Sequence, residues 1–534
     1  MYNIYEIIAF VIYFIAMTGI GVYFFVKSKD KGEKDYFLGG REMGGWVSAL
    51  SAGASDMSAW VLMGLPGAIY FAGLNQIWIS IGLAIGTVLA WVLIAPKLRR
   101  YAIKAGDAIT VPEFLSNRFN AKSPVLRVAC AIVFVIGYLI YAASSVYACG
   151  NLFAMLIPSD KVDMKMLGMV IFTIIILAYT LLGGFKAVCW TDFFQGMLML
   201  AALMIVPIIA SIIIGVNGAQ NDSELPAHFY SLLIYAENGE ISTWGSIANI
   251  LTGLGWGLGY FGMPHIVVRY MAIKSKKEMR KSQIIGSTWT FLILTMTTIL
   301  AIVARSYLST PLTSGEKELV FAKVVRQMFS FGALALLGGF LIAAILAAAM
   351  STADSQLLAS SSAFASDFYK TVINKNASDK KVLNVGRYAV IAITLIAFGI
   401  ALMVYYLDIT NLMGLVSAAW SIFGAAFGPV IVLSLFWRRF NYKGAVTSIL
   451  AGFACSILWM VLFNLEYYGF TSVIANTSLY ELVPGFIVGI LAGIIVSLAT
   501  KEPEKEVVEL FDRVKLEKDE DESVEVTEEI SAEA

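Results

Sequence analysis

Gly253-Leu254-Gly255-Trp256-Gly257-Leu258-Gly259-Tyr260-Phe261-Gly262-Met263-Pro264 places five glycines and a proline within twelve residues. The stretch lies inside an apolar run covering about 245–271. In a helix interior glycine costs about 1 kcal/mol and proline about 3, so a helix through this run is expected to kink or unwind. The surroundings are just as apolar. Of 534 residues, 59% are hydrophobic and 14% charged, with a mean hydropathy of +0.77. Soluble domains average about 45–50% and about 25%. A water-soluble fold would have too few charges to cover its outside, and collagen-like, disulfide-rich and disordered classes are excluded as well. The composition is that of a polytopic membrane protein, and its long apolar runs read as helices, an all-α fold.

Crossing about 30 Å of hydrocarbon takes roughly 20 apolar residues. Thirteen segments qualify: about 4–26, 44–69, 75–96, 128–156, 166–183, 190–215, 245–271, 283–305, 331–356, 388–407, 412–437, 444–465 and 480–500. With the amino terminus outside, the inside loops carry 27 Lys and Arg and the outside segments 6. The positive-inside rule therefore predicts an external amino terminus and a cytoplasmic carboxyl terminus. The long outside loop 216–244 has no Lys or Arg. Met1–Glu6 has no basic stretch and no small-residue cleavage site follows, so a first span is expected rather than a removable signal.

The second segment is also interrupted. Ser48-Ala49-Leu50-Ser51-Ala52-Gly53-Ala54-Ser55-Asp56-Met57-Ser58 puts a carboxylate and several hydroxyls near mid-membrane, where ionisable groups are expensive and mark functional sites. Unwound backbone inside a bilayer needs protein or a wet cavity to satisfy it. Interrupted segments at corresponding places in two halves point to a transporter site. Segments two and seven are five apart, so 2–6 and 7–11 can form two five-helix repeats of opposite orientation. The ninth segment adds Ala347-Ala348-Ala349-Met350-Ser351-Thr352-Ala353-Asp354-Ser355. Carbonyls and hydroxyls are hard oxygen ligands suited to a small hard cation; the same hydroxyls can instead bond back to their own helix. Trp256, Tyr260 and Pro264 fall at i, i+4 and i+8, along one drifting helical stripe. Gly253, Gly257 and Gly259 beside them leave volume for an apolar ring, or simply let helices pack closely.

Other chemistries lack support. The chain has no phosphate-binding G-x-x-x-x-G-K-[ST] loop and no Ser/His/Asp or metal-hydrolase constellation; His228 and His265 are its two histidines. Cys130, Cys149, Cys189 and Cys455 show no metal-ligand or disulfide spacing and read as packing residues. The tail 501–534 holds 14 acidic and 5 basic residues. It reads as a solvated, disordered extension, and deleting 503–534 should leave transport largely untouched.

These motifs closely resemble the sodium/solute symporter family. The resemblance is carried by Leu38-Gly39-Gly40-Arg41, Ala49 through Ala59, Gly183-Gly184-Phe185 with Trp190-Thr191-Asp192, Gly255 through Gly262 with Pro264-His265, and Met350-Ser351-Thr352. It runs from the first segment to the thirteenth and fails in the tail. The resemblance implies a leucine-transporter-type fold of about 13 membrane helices with a five-plus-five inverted repeat. The expected units are 1–42 (first helix and loop), 43–215 and 245–437 (the two repeats), 438–500 (two added spans) and 501–534.

By the same resemblance, Ala54, Met57 and Ala348 offer main-chain carbonyls to sodium, and Ser351 and Thr352 their hydroxyls. Asp56 resembles the carboxylate required for sodium coupling. Trp256, Tyr260 and Pro264 resemble a proline-contacting face, with Ser58 and Tyr141 near the substrate path. Arg41 and Asp192 match polar positions that affect transport. Asp354 departs from the pattern, as a second cation site, a proton-coupling group or the partner of a basic residue. The implied activity is sodium-coupled uptake of L-proline across the cell membrane, with sodium as co-substrate and no cofactor. No nucleic acid or obligatory protein partner is expected. The alternatives are the same machine carrying pantothenate, a sugar or sialic acid, and a membrane sensor.

Overall fold

A computed structural model describes residues 3–27, 32–221, 225–409, 411–468, 473–474 and 477–516. Among the described residues the fold is all helical, and ten helices are long and apolar enough to cross a membrane. The ninth segment, Leu334–Ser362 continued by a π-helical stretch Ala363–Ile373, is the most enclosed of the long helices apart from Leu412–Phe436. The fifth and sixth segments run together as Met164–Asn217, broken where Gly184 takes φ 61°, ψ −174°.

Both suspect segments are broken. The second runs as Gly45–Asp56, then Ala59–Leu62 and Gly64–Ala72. Met57 (ψ 69°) and Ser58 (ψ −172°) leave the helical region between the first two pieces. The seventh runs as Thr243–Trp256, a tight 3₁₀ turn Gly257–Phe261, and Pro264–Met271. Met263 is extended just before Pro264, which opens the last piece where its missing N–H is no loss.

The glycines do not leave an empty slot. A Cβ on Gly253 would strike Trp78, one on Gly257 the backbone of Gly82 and Gly86, and one on Gly259 the Trp420 ring. Gly82 and Gly86 lie in Ile77–Leu89 and press in turn on the carbonyls of Gly253 and Gly257. The run therefore serves close helix approach, in which small residues let two backbones meet. Its volume is filled by neighbours.

Loops gather at two ends. At the basic end, Arg41 donates from Nε to Asp107 (2.7 Å) and from its other nitrogens to the carbonyls of Met271 and Ala108. It thus ties the end of the seventh segment to two loops. Burial acts to raise the Asp107 carboxyl, but Lys34 and Arg41 outweigh it and hold it below the ordinary range. At the opposite end, Arg326 pairs with Glu6 (2.7 Å) and reaches the carbonyls of Met155 and Leu156.

The expectation of a solvated tail does not hold for 505–516, which is helical. Val507, Leu510, Phe511 and Val514 follow the i, i+3, i+4, i+7 pattern of an apolar face, and Val507 and Val514 are buried. This face covers Arg118, whose guanidinium sits 5.1–5.3 Å from the rings of Tyr101, Phe119 and Phe511. Arg438 grips Asp512 through two nitrogens, and Lys122 meets Glu504 at 2.9 Å. Residues 517–534, which carry the rest of that expectation, lie outside the described residues.

Candidate functional site

The break in the second segment exposes the acceptors the site needs. In an unbroken helix the Ser58 amide would bond the Ala54 carbonyl. Here it turns to the Asp56 carbonyl (2.8 Å), and Ala54 instead accepts from the Ser351 hydroxyl of the ninth segment (2.8 Å). Ser351 also lies 3.2 Å from the Ala348 carbonyl. Ala54, Ala348 and Ser351 thus meet in one cluster, fully buried together with Met57 and Thr352. The Thr352 hydroxyl is buried with no hydrogen-bond partner among the described residues. The donor set is oxygen only, which suits an alkali cation.

Asp56 closes the cluster toward the seventh segment. Its Oδ2 accepts a short hydrogen bond from the Tyr260 hydroxyl, so the two breaks touch directly. Its Oδ1 is buried with no partner among the described residues. Ser58 caps the next helical piece through the Trp60 amide (3.5 Å). Tyr141 is fully buried and packs edge-on against His265, with centroids 6.1 Å apart.

The stripe expected from i, i+4, i+8 spacing is not one face, because the tight turn and the extended Met263 interrupt it. Trp256 lines a cavity of about 380 Å³ that it shares with Glu318, Ser417 and Tyr480. Tyr260 points at Asp56. Pro264 lines a separate pocket of about 30 Å³ toward the basic end, with Arg269 and Ser355. Trp256 sits among the rings of Trp60, Trp420 and Tyr480, and Trp420 donates its indole N–H to the Trp256 carbonyl (2.9 Å).

Asp192 lies in a buried charge network beside Ser51 of the second segment. It pairs with Arg269 Nη2 (2.9 Å) and accepts from Ser51 Oγ (2.7 Å). Arg269 also donates to Ser51, to the His265 carbonyl and to Ser355. Ser355 donates in turn to Asp354 Oδ1 (3.2 Å), so Asp354 reaches the guanidinium through one hydroxyl. The network joins segments two, six, seven and nine. Arg269 is not among the sequence-based candidates, because two residues from the end of the seventh segment it reads as a loop cation; the structure buries it, 2% exposed. A lone cation four residues after His265, inside the apolar turn Ile266–Met271, was the available signal. Arg41 is apart from this site, at the basic end.

Access is unequal. The 380 Å³ cavity above Trp256 shares Lys317, Glu318 and Asn411 with a vestibule of about 990 Å³ at the end away from the basic loops. Burial pushes the Glu318 carboxyl, at this junction, up from its ordinary range; the Leu412 amide, lysines and Asn151 work against that rise.

The pattern of the sodium:solute symporter family matches residues 36–452. The osmoregulated proline transporter OpuE of Bacillus subtilis (strain 168) is 39% identical over 506 residues, 95% of this chain and 97% of that protein. The high-affinity proline transporter PutP of the same organism is 39% identical, covering 91% and 97%. Sodium/proline symporter 2 of Staphylococcus saprophyticus is 35% identical, covering 95% of each. Among solved structures, a sodium-coupled sialic acid symporter in a substrate-bound outward-open state superposes with a TM-score of 0.72 at 20% identity, covering 94% and 99%. MhsT in complex with L-phenylalanine gives 0.53 at 15%, covering 85% and 98%. The last two share the fold, that of the leucine-transporter type. By its pattern and these relatives, the chain belongs to the sodium:solute symporter family.

Proposed function

We propose that this protein takes up L-proline together with sodium across the cell membrane. The carrying observation is the meeting of the two breaks, where Tyr260 of the seventh segment bonds Asp56 of the second beside the Ala54–Ser351 contact. The names of the relatives, proline transporters and sodium/proline symporters, supply the cargo.

In this reading sodium binds among the carbonyls of Ala54, Met57 and Ala348 and the hydroxyls of Ser351 and Thr352. Asp56 supplies the charge that makes the site favour a cation. Sodium binding fixes the second segment's break and, through Tyr260, the turn of the seventh. Proline's ring takes the Trp256 wall, and its carboxylate the free N–H groups at the start of a half-helix. Ser58, Tyr141 and Pro264 flank the path; Asp192, Asp354 and Arg41 maintain the charge network and the basic end. Thirteen passes arranged as a five-plus-five inverted repeat would let one half rock against the other. With the basic end in the cytoplasm, the Trp256 cavity faces outward. One charge falling through 100 mV gives about 2.3 kcal/mol and a tenfold sodium gradient about 1.4 more, enough for roughly 500-fold accumulation.

Uptake of labelled proline into proteoliposomes containing the purified chain should require an inward sodium gradient. Full-rate uptake without sodium would overturn the coupling.

A further inference from the structure

The aromatic surround of Trp256 is completed from outside the two proposed repeats. Tyr480 precedes the last membrane helix, Leu482–Ala499, and lies beyond the 36–452 stretch that matches the family pattern. Its ring stacks on Trp256, centroids 5.1 Å apart and planes 18° from parallel. Two anchors hold it there. The hydroxyl donates to the Ser417 carbonyl of the eleventh segment (2.7 Å). The amide donates to Thr252 Oγ1 of the seventh (3.0 Å), whose hydroxyl donates back to the Ser478 carbonyl (3.1 Å).

Three rings surround Trp256, and they are not equivalent. Trp60 and Trp420 sit 6.0 and 6.3 Å away and do not line the 380 Å³ cavity. Tyr480 does line it. Trp256 is left only 3% exposed; it and Tyr480 both line the cavity, so a ring arriving there meets the stacked pair. A stacked aromatic pair can part and take a flat apolar guest between its faces, or hold that guest from one side.

We propose that Tyr480 is a positioning residue for the cargo: its ring forms, with Trp256, the aromatic wall of the cavity and holds the pyrrolidine ring there. The proposal rests on the reading of Trp256 as a proline contact. It assigns a transport role to the stretch just before the last membrane helix, and it separates cargo binding at Tyr480 from sodium binding at Asp56.

The test is saturation kinetics in proteoliposomes, varying proline and sodium separately, for the full chain and its Tyr480→Ala, Tyr480→Phe, Trp256→Ala and doubly substituted Trp256→Ala/Tyr480→Ala forms. Tyr480→Ala should raise the proline KM roughly three- to tenfold and leave the sodium half-saturation unchanged. Tyr480→Phe, which keeps the ring, should retain the wild-type KM. Adding Tyr480→Ala to Trp256→Ala should raise KM little further, as coupled neighbours do. A wild-type KM in Tyr480→Ala, full additivity with Trp256→Ala, or an equal shift in sodium half-saturation would overturn the proposal and leave the Trp256 reading standing. A wild-type KM in Trp256→Ala would overturn both. If Tyr480→Ala fails to insert, Thr252→Val removes the acceptor for the Tyr480 amide and takes its place, with the same KM shift expected and a wild-type KM overturning the proposal.

Discussion

Asp56 has one oxygen committed to Tyr260 and one without a partner among the described residues. A charge buried in that way is stable only with a counter-ion near it. Asp56→Asn keeps the shape and the Tyr260 contact and removes the charge. Sodium-driven proline uptake should be lost while membrane insertion stays normal, as checked by uptake and by quantitative blotting of membranes. Asp192 poses a different question, because its guanidinium partner is buried beside it. Asp192→Asn leaves Arg269 short of a counter-charge, which in buried pairs typically costs about 3–5 kcal/mol. The variant should unfold in detergent at a clearly lower Tm than the wild type. Asp56, Asp354 and Ser351 are legible in sequence because a carboxylate or hydroxyl stands out in an apolar run, whereas Asp192 is reached only through the family resemblance. Arg269 was not legible: two residues from a soft helix boundary, a buried cation and a loop cation look alike.

At the scale of elements, the breaks follow from local chemistry and the packing does not. Glycines and a proline state that the seventh helix will not run straight. They do not state which helix fills the room, and the answer is the third, through Gly82 and Gly86 four residues apart. Gly257→Ala would drive a methyl into the Gly82 backbone, where neither side can yield cheaply. Such overpacking typically costs about 1–3 kcal/mol, and both Tm and uptake should fall. Gly399 of Asp379–Leu407 meets nothing within 4 Å of an added Cβ. Gly399→Ala should therefore be neutral or stabilising by up to about 1 kcal/mol, with transport kept. The i, i+4, i+8 stripe failed for the same reason: a helical wheel presumes the helix that those glycines and that proline interrupt.

At the scale of the whole molecule, charge sorts the loops. The basic loops close one end around Arg41 and Arg118, and the Trp256 cavity and its vestibule lie toward the other. Composition and loop charges carried the membrane class and an expected orientation, since both are sums over many residues. The docked helix 505–516 was missed because the acidity of the tail masked four apolar residues at helical spacing. Burial explains its effect: it supplies the Val507 carbonyl and the Phe511 ring to Arg118. A chain ending at Leu516 should match the full-length protein in Tm and uptake. One ending at Glu502 uncovers Arg118 and should melt earlier. Asp512, held below its ordinary range by the Arg438 hydrogen bonds, contributes above about pH 4, the usual aspartate value. That contribution disappears only as the medium is acidified past the lowered value. At neutral pH the Asp512–Arg438 pair is therefore fully charged, which bears on how the protein can be handled. A fluorescent reporter spliced in directly after Glu502 would act as a wedge under the basic end, whereas one joined beyond Leu516 would hang free of the machinery it is meant to report on.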